Sequence, residues 1–74
     1  MDSQNKELLE YLKEHITITQ RKASRVLGID RLSARVFDLR HDGHMIVTNM
    51  ITVKDRHGRP RRVAEYVYLG EVAA

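Results

Sequence analysis

The sequence predicts one α+β domain, residues 1–74, with three helices and a small antiparallel sheet in the order helix, strand, helix, helix, strand, strand. Two observations indicate this class. Apolar residues recur at helical spacing in the first part of the chain, and residues that favour strands dominate two runs in the last part. The 74 residues are enough for one core, near the lower size limit for a domain without disulfides or metals. We expect residues 70–74 to form a frayed tail.

The first helix is predicted from four apolar residues at helical spacing, Leu8, Leu9, Leu12 and Ile16. Ser3 is a suitable N-cap, because its hydroxyl can accept a hydrogen bond from the first turn. The segment ITIT at 16–19 is β-branched at every position, which favours an extended segment over continued helix. We expect this segment to add a third strand to a later hairpin.

The second and third helices are predicted from their caps. Thr19 is a suitable N-cap for a helix from Gln20 to Leu27, which Gly28 ends. Asp30 is a suitable N-cap for a third helix that ends at about Asp42, before a closing glycine.

Two faces of the third helix are predicted from its periodicity. Its core face carries Ile29, Leu32, Val36 and Leu39. Its opposite side carries Arg31, Ala34, Arg35, Phe37, Asp38 and His41. Phe37 is more often a core filler, but an exposed Phe37 would suit dimerisation or contact with a thymine methyl group. His41 and His44 have a spacing found in metal sites, but no further ligand completes one, and we expect both in the turn after this helix.

The last part of the chain predicts a hairpin. Runs of strand-forming residues at 45–53 and 63–69 flank the loop DRHGRPRR at 55–62. Gly58 and Pro60 suit a turn, but a turn does not need four arginines, which repel one another unless an anion is near. Two sets of residues compete for the inward face of the first strand, namely Ile46 and Met50 against Val47, Ile51 and Val53.

Charge is segregated along the chain. The net charge is +3, with a net +3 in residues 20–43, +4 in residues 54–62 and acidic ends on either side. Two basic blocks of this kind are typical of polyanion binding. The chain has no cysteine, which excludes disulfides and thiolate metal sites and favours a reducing compartment such as the cytoplasm. No apolar run approaches the length of a membrane span.

Residues 18–46, ITQRKASRVLGIDRLSARVFDLRHDGHMI, followed by the hairpin, resemble the winged helix-turn-helix DNA-binding domains, in particular the short phage-type members. In that pattern a small residue in the first helix of the motif precedes a turn glycine by four positions, as Ser24 precedes Gly28. The pattern also places Ala34 and Phe37 in the core, whereas the apolar stripe of the third helix does not. We follow the stripe, which implies a shorter turn than usual.

The resemblance implies that the third helix enters the major groove of double-stranded DNA. The residues then expected to read bases are Arg31, Arg35, Ser33 and Ala34. The residues expected to contact phosphates are Thr19, Gln20, Arg21, Lys22 and Arg25. The hairpin loop becomes a wing, which would follow the backbone or enter the minor groove with Arg56, His57, Arg59, Arg61 and Arg62. Arg31 or Arg35 could instead form a surface ion pair with Asp38, which would contribute little to stability.

The predicted function is therefore sequence-specific DNA binding, by a small phage or bacterial transcriptional regulator. No catalytic motif, phosphate loop or cofactor site is recognised, so we expect neither enzyme activity nor a cofactor. Two alternatives remain open: a protein-interaction module that binds an acidic partner, as a phage-encoded inhibitor or adaptor does, and an excisionase-like architectural protein that bends DNA. A homodimer is also left open by the sequence.

Overall fold

The computed structural model describes residues 3–71 and confirms the predicted α+β class and order of elements. Helix α1 is Ser3–His15 and is followed by strand β1, Thr17–Thr19. Helix α2, Gln20–Lys22, continues directly into a π-helical segment, Ala23–Leu27. Helix α3 is Leu32–His41, and the hairpin is formed by β2, His44–Lys54, and β3, Pro60–Glu71. Within these residues, no helix is long and apolar enough to cross a membrane.

The junction between α1 and β1 differs from the prediction at Ile16. Leu8 and Leu12 are fully buried as expected, but Ile16 is 46% exposed and lies outside the core. Its φ of 74° places it in the left-handed region, which is unfavourable for a β-branched residue. Its N–H donates to the Leu12 oxygen at 2.8 Å, and its own oxygen accepts from the Tyr68 N–H at 2.8 Å. Ile16 therefore ends α1 and attaches the entry of β1 to β3.

The second helix begins and ends as predicted, but it contains an unpredicted π turn. Thr19 caps it, since its Oγ1 accepts from the Lys22 N–H at 3.3 Å, and Gly28 ends it with a φ of 67°. The N–H groups of Gly28 and Ile29 both donate to the Ala23 oxygen. Ala23 is fully buried whereas Ser24 is exposed. The prediction that Ser24 is the small packing residue was therefore wrong, because the buried position belongs to Ala23.

The core face of α3 is as predicted, but its N-cap is not. Leu32, Val36 and Leu39 are fully buried. The residue before the helix is Arg31, which makes no side-chain cap, so Asp30 is not the N-cap. The helix ends at His41 with Asp42 as its C-cap, which agrees with the predicted end at about Asp42.

The sheet has the strand order β1-β3-β2, with both pairings antiparallel. Ile46 pairs with Tyr68, and both are buried, so the even-numbered residues of β2 near its start face the core. Of the two sets of residues that competed for the inward face of this strand, the set with Ile46 and Met50 therefore faces the core, although Met50 is 48% exposed. His44 is the buried first residue of β2, so its predicted place in a turn was wrong. Its Nδ1 lies 3.2 Å from Tyr68 Oη.

The outer part of the hairpin projects from the helices. β1 pairs with β3 from Thr17 opposite Val67 to Thr19 opposite Glu65. On the loop side of Glu65, β3 pairs with β2 alone. We call residues 50–64 the arm. The molecule measures 45 × 23 × 20 Å along its principal axes. Both strands are longer than predicted: Arg61 and Arg62 lie in β3, as do Gly70 and Glu71 from the expected tail, whose residues 72–74 lie outside the described part.

Candidate nucleic-acid interface

An open groove separates the helical body from the arm. From the helical side it is lined by Thr19, Gln20, Arg21, Ser24, Arg25, Asp30 and Ser33. From the hairpin it is lined by Val53, Lys54, Asp55, Arg56, His57, Arg61, Val63, Ala64 and Tyr66. Five cationic side chains and two carboxylates therefore line this groove, with one carboxylate on each side. Residues of both basic blocks of the sequence therefore line one concave surface, with the arm across the groove from the second helix.

The tip of the arm is ordered by one carboxylate. Asp55 Oδ1 accepts from the backbone N–H groups of His57 and Arg59 at 2.8 and 2.9 Å. The backbone N–H of Asp55 donates to the Arg59 oxygen at 2.9 Å, and the Gly58 N–H donates to the Asp55 oxygen at 3.0 Å. Gly58 has a φ of 75°, which a glycine adopts without strain. The local hydrogen bonds of Asp55 thus fix the loop backbone while the neighbouring arginine side chains stay exposed.

The arginines of β3 point to opposite faces of the arm. Arg61 lines the groove, whereas its neighbour Arg62 does not. This follows from the alternation of side chains along a strand. Within residues 3–71, no salt bridge is formed by Arg56, Arg59, Arg61 or Arg62. The cations of the arm are therefore available to an external anion.

The helical side contributes Arg21 and Arg25, which are four residues apart and both exposed. Residues at this spacing lie on the same face of a helix, so both guanidinium groups are directed to the same side. Ser24 lies beside them in the groove, but Lys22 does not. Of the residues predicted to contact phosphates, all but Lys22 therefore line the groove.

Gln20 has a structural role that the sequence did not reveal. Its Nε2 donates to the Ile29 oxygen, and its Oε1 accepts from the Leu32 N–H, both at 2.8 Å. The amide therefore connects the start of α2 to the start of α3 and satisfies a free N–H group of α3. Both functional atoms of the Gln20 side chain are engaged in the turn, although the residue lines the groove.

The predicted base-reading residues lie on different sides of α3. Ser33 lines the groove, and Arg31 is exposed at the start of the helix but lies outside the groove lining. Arg35 is on the flank that faces α1, where its NH2 atom lies 3.4 Å from Asp38 Oδ2. That same carboxylate oxygen accepts from Asn5 Nδ2 of α1 at 3.3 Å. The surface ion pair considered from the sequence is therefore present for Arg35.

Arg40 belongs to the first basic block, but it is held against the sheet. Its Nε donates to the Ile46 oxygen at 2.8 Å, its NH2 donates to Thr48 Oγ1 at 3.0 Å, and its guanidinium carbon lies 5.9 Å from the centre of the Tyr66 ring. Arg40 thus connects α3 to β2 and is not free to bind an anion. No sequence pattern distinguishes it from the other arginines of the block.

Among the large apolar residues within 3–71, Phe37 is the most exposed, at 68%. It lies on the solvent side of α3, and its ring is stacked on that of His41 with the centroids 6.4 Å apart. The interpretation of Phe37 as a core filler was therefore wrong. In the described part of the chain, no group of three or more His, Asp or Glu side chains is placed to hold a metal ion.

Two adjacent helices joined by a tight turn, with a basic hairpin beside the second, define a class of nucleic-acid-binding protein, the helix-turn-helix proteins with a wing. A family model described as a winged helix-turn-helix domain matches residues 3–71, and the chain belongs to that family. Membership of this family indicates DNA binding as the general function. No curated protein and no solved structure matches the chain significantly.

Proposed function

We propose that this chain binds double-stranded DNA sequence-specifically and acts in the cytoplasm as a small transcriptional regulator of a phage or a bacterium. In this proposal α3 enters the major groove and the arm follows the backbone or reaches into the minor groove. The observation that carries it is the shared groove, in which cations of α2 and of the arm face the same space. DNA has a fixed width, so cations that contact one duplex must lie on the same side of a small protein.

The phosphate contacts fall to the cations that line the groove, namely Arg21, Arg25, Lys54, Arg56 and Arg61. Thr19 and His57 lie among them and can add hydrogen bonds. Lys22, Arg59 and Arg62 are exposed beside the groove and add positive potential around it. Gln20 keeps the turn in place, so its contribution to a phosphate contact is indirect.

Base reading falls to the N-terminal half of α3. Ser33 and Ala34 lie there, directly after Arg31, whose guanidinium can donate two hydrogen bonds to the O6 and N7 atoms of guanine. Arg35 reaches a base only if it leaves Asp38. An ion pair as exposed as this one contributes about 0.5 kcal/mol, which a bidentate base contact would outweigh. Arg31 is therefore the stronger of the two arginine candidates.

Salt dependence tests the proposal. Five phosphate contacts predict a slope of about −4.5 for the logarithm of the association constant against that of the salt concentration. Fluorescence anisotropy on a duplex selected from a random library would measure it. Arg61→Ala should make the slope less steep by about one, whereas the matched control Arg62→Ala should change it less because that side chain lies outside the groove. A slope near zero, or a larger effect of Arg62→Ala, would contradict the proposal.

An architectural role is a second candidate, and the projecting arm favours it. Two strands that extend beyond the third strand of the sheet can reach around a duplex and hold it in a bent form. Energy transfer between dyes at the two ends of the bound duplex would detect bending, and weak base preference would accompany it. If instead an acidic protein occupies the groove, duplex DNA will compete with that protein for binding.

A further inference from the structure

Phe37 is 68% exposed, so most of its ring is accessible to a binding partner. The core of the domain is complete without it, since Leu32, Val36 and Leu39 are fully buried on the other side of α3. Its stacking on His41 covers part of the ring, and the rest faces solvent.

Phe37 continues the surface that begins at the groove. Ser33 lines the groove, and Phe37 is four residues further along α3, so the two lie on the same side of the helix one turn apart. The residues of the preceding turn on this side, Ser33 and Ala34, are small. A helical side chain leans over the preceding turn. Because Ser33 and Ala34 are small, they do not cover the Phe37 ring, which is accessible to a binding partner.

We infer that Phe37 contacts the 5-methyl group of thymine and so determines part of the sequence preference; this inference rests on the proposed binding of α3 in the major groove. Thymine displays this methyl group at the edge of the major groove, where no other DNA base carries an apolar group. A phenyl ring has no hydrogen-bonding atom, so it cannot read a donor or acceptor there. The methyl group is the base-edge feature that matches its chemistry.

The main alternative occupant of this surface is a second copy of the chain. A dimer built on Phe37 would cover the N-terminal half of α3, because Ser33 and Ala34 lie on the same surface. It would also bring His41 of both copies together beside the acidic Asp38 and Asp42, which line a small depression with Phe37. A dimer would therefore block the part of α3 that carries the proposed base contacts, whereas a thymine contact would leave it accessible. For that reason we favour the thymine contact.

Deoxyuridine provides a direct test, since it differs from thymidine in lacking the methyl group. A duplex would be selected from a random library with the wild-type protein, and each thymine in it would be replaced singly by uracil. We expect at least one replacement to weaken wild-type binding about fourfold, the effect of exposing roughly one methyl group. Phe37→Ala should bind the thymine duplex more weakly and should be indifferent to that same replacement.

Val26→Ala is the matched control. Val26 is an exposed apolar residue of the π-helical segment outside the groove lining, so this variant should keep the wild-type response to uracil. The inference would be overturned if the wild-type protein bound every uracil duplex as tightly as the thymine duplex. It would also be overturned if uracil weakened binding equally in the wild type and in Phe37→Ala. Either result would leave DNA binding itself intact. Failure of the wild-type protein to bind any duplex would overturn both. A dimer in analytical ultracentrifugation that Phe37→Ala dissociates, with unchanged uracil sensitivity, would assign the surface to a second copy.

Discussion

The Oε1 atom of Gln20 accepts a hydrogen bond of 2.8 Å from the backbone N–H of Leu32, the first residue of α3. The same amide donates to Ile29 on the other side of the turn. One side chain thus sets the position of α3 relative to α2, in a turn that lacks a side-chain cap of its own. Because α3 carries the proposed base contacts, the geometry of the interface depends on this residue.

Replacing Gln20 with Ala should lower the free energy of unfolding by about 1 kcal/mol, since a part-buried carbonyl and a part-buried N–H group would lose their partner. Urea unfolding would measure the change. Arg21→Ala is the control, because Arg21 is an exposed neighbour, and we expect a change within about 0.5 kcal/mol. Equal effects of the two substitutions would show that the amide does not hold the turn.

Replacing Ile16 with Asn should raise the stability of the domain by about 1 kcal/mol. Ile16 has a φ of 74° and is 46% exposed, so the relief of backbone strain outweighs the loss of its partial burial. Thermal unfolding would show the gain. Ile16→Val keeps the β-branch and should give no increase, and a gain of the same size for valine would indicate a cause other than backbone conformation.

The two roles of Asp55 predict gains of different size for two substitutions. Asp55→Asn keeps an oxygen for the N–H groups of His57 and Arg59 while it removes a negative charge from the groove. It should therefore bind the selected duplex severalfold more tightly at low salt. Asp55→Ala also removes the charge but releases the loop, so it should gain less affinity than the asparagine variant. Binding that is weakened by both substitutions would indicate that the charge itself is needed.

Alkaline pH should destabilise the fold through Tyr68. Burial, and secondly the negative charge of Glu71, raise the pKa of the Tyr68 phenol above its ordinary value of 10.0. The unfolded chain then loses this proton first, so the contribution of the neutral phenol is complete below about pH 10 and declines as pH rises toward the folded pKa. Urea unfolding between about pH 8 and pH 11 should show this decline in the wild type and in Tyr11→Phe, and a smaller decline in Tyr68→Phe.

The sequence correctly predicted the elements in which apolar residues recur at the spacing of a helix or a strand, and those marked by capping residues. The stripe of Leu32, Val36 and Leu39 defined the buried side of α3, and Thr19 and Gly28 correctly marked the limits of the second helix. The π turn was missed because it depends on a backbone hydrogen bond from Gly28 to Ala23, and no side-chain pattern records such a bond. The extra residue in this turn is also the reason that the small packing residue is Ala23.

The candidate site was predictable as a charge pattern and not as a geometry. Arg35 and Arg40 contribute to the basic block of the sequence in the same way as Arg21 and Arg25. The pair of Arg35 with Asp38 is local and was among the alternatives that the sequence offered, whereas the tertiary structure alone decides that Arg40 binds the backbone of β2. The conformation of Ile16 was unpredictable for a related reason: its local preference is extended, and the connection between α1 and β3 overrides it.

The arm has a consequence for the dynamics of the protein. Between Glu65 and the loop, its two strands have no third strand beside them. A two-stranded ribbon is marginally stable in water. Amide hydrogens between Met50 and Ala64 should therefore exchange with solvent faster than those around Tyr66, which lie in the three-stranded part. Binding of a duplex would slow this exchange at the cost of conformational entropy, so part of the affinity would be spent on making the ribbon rigid.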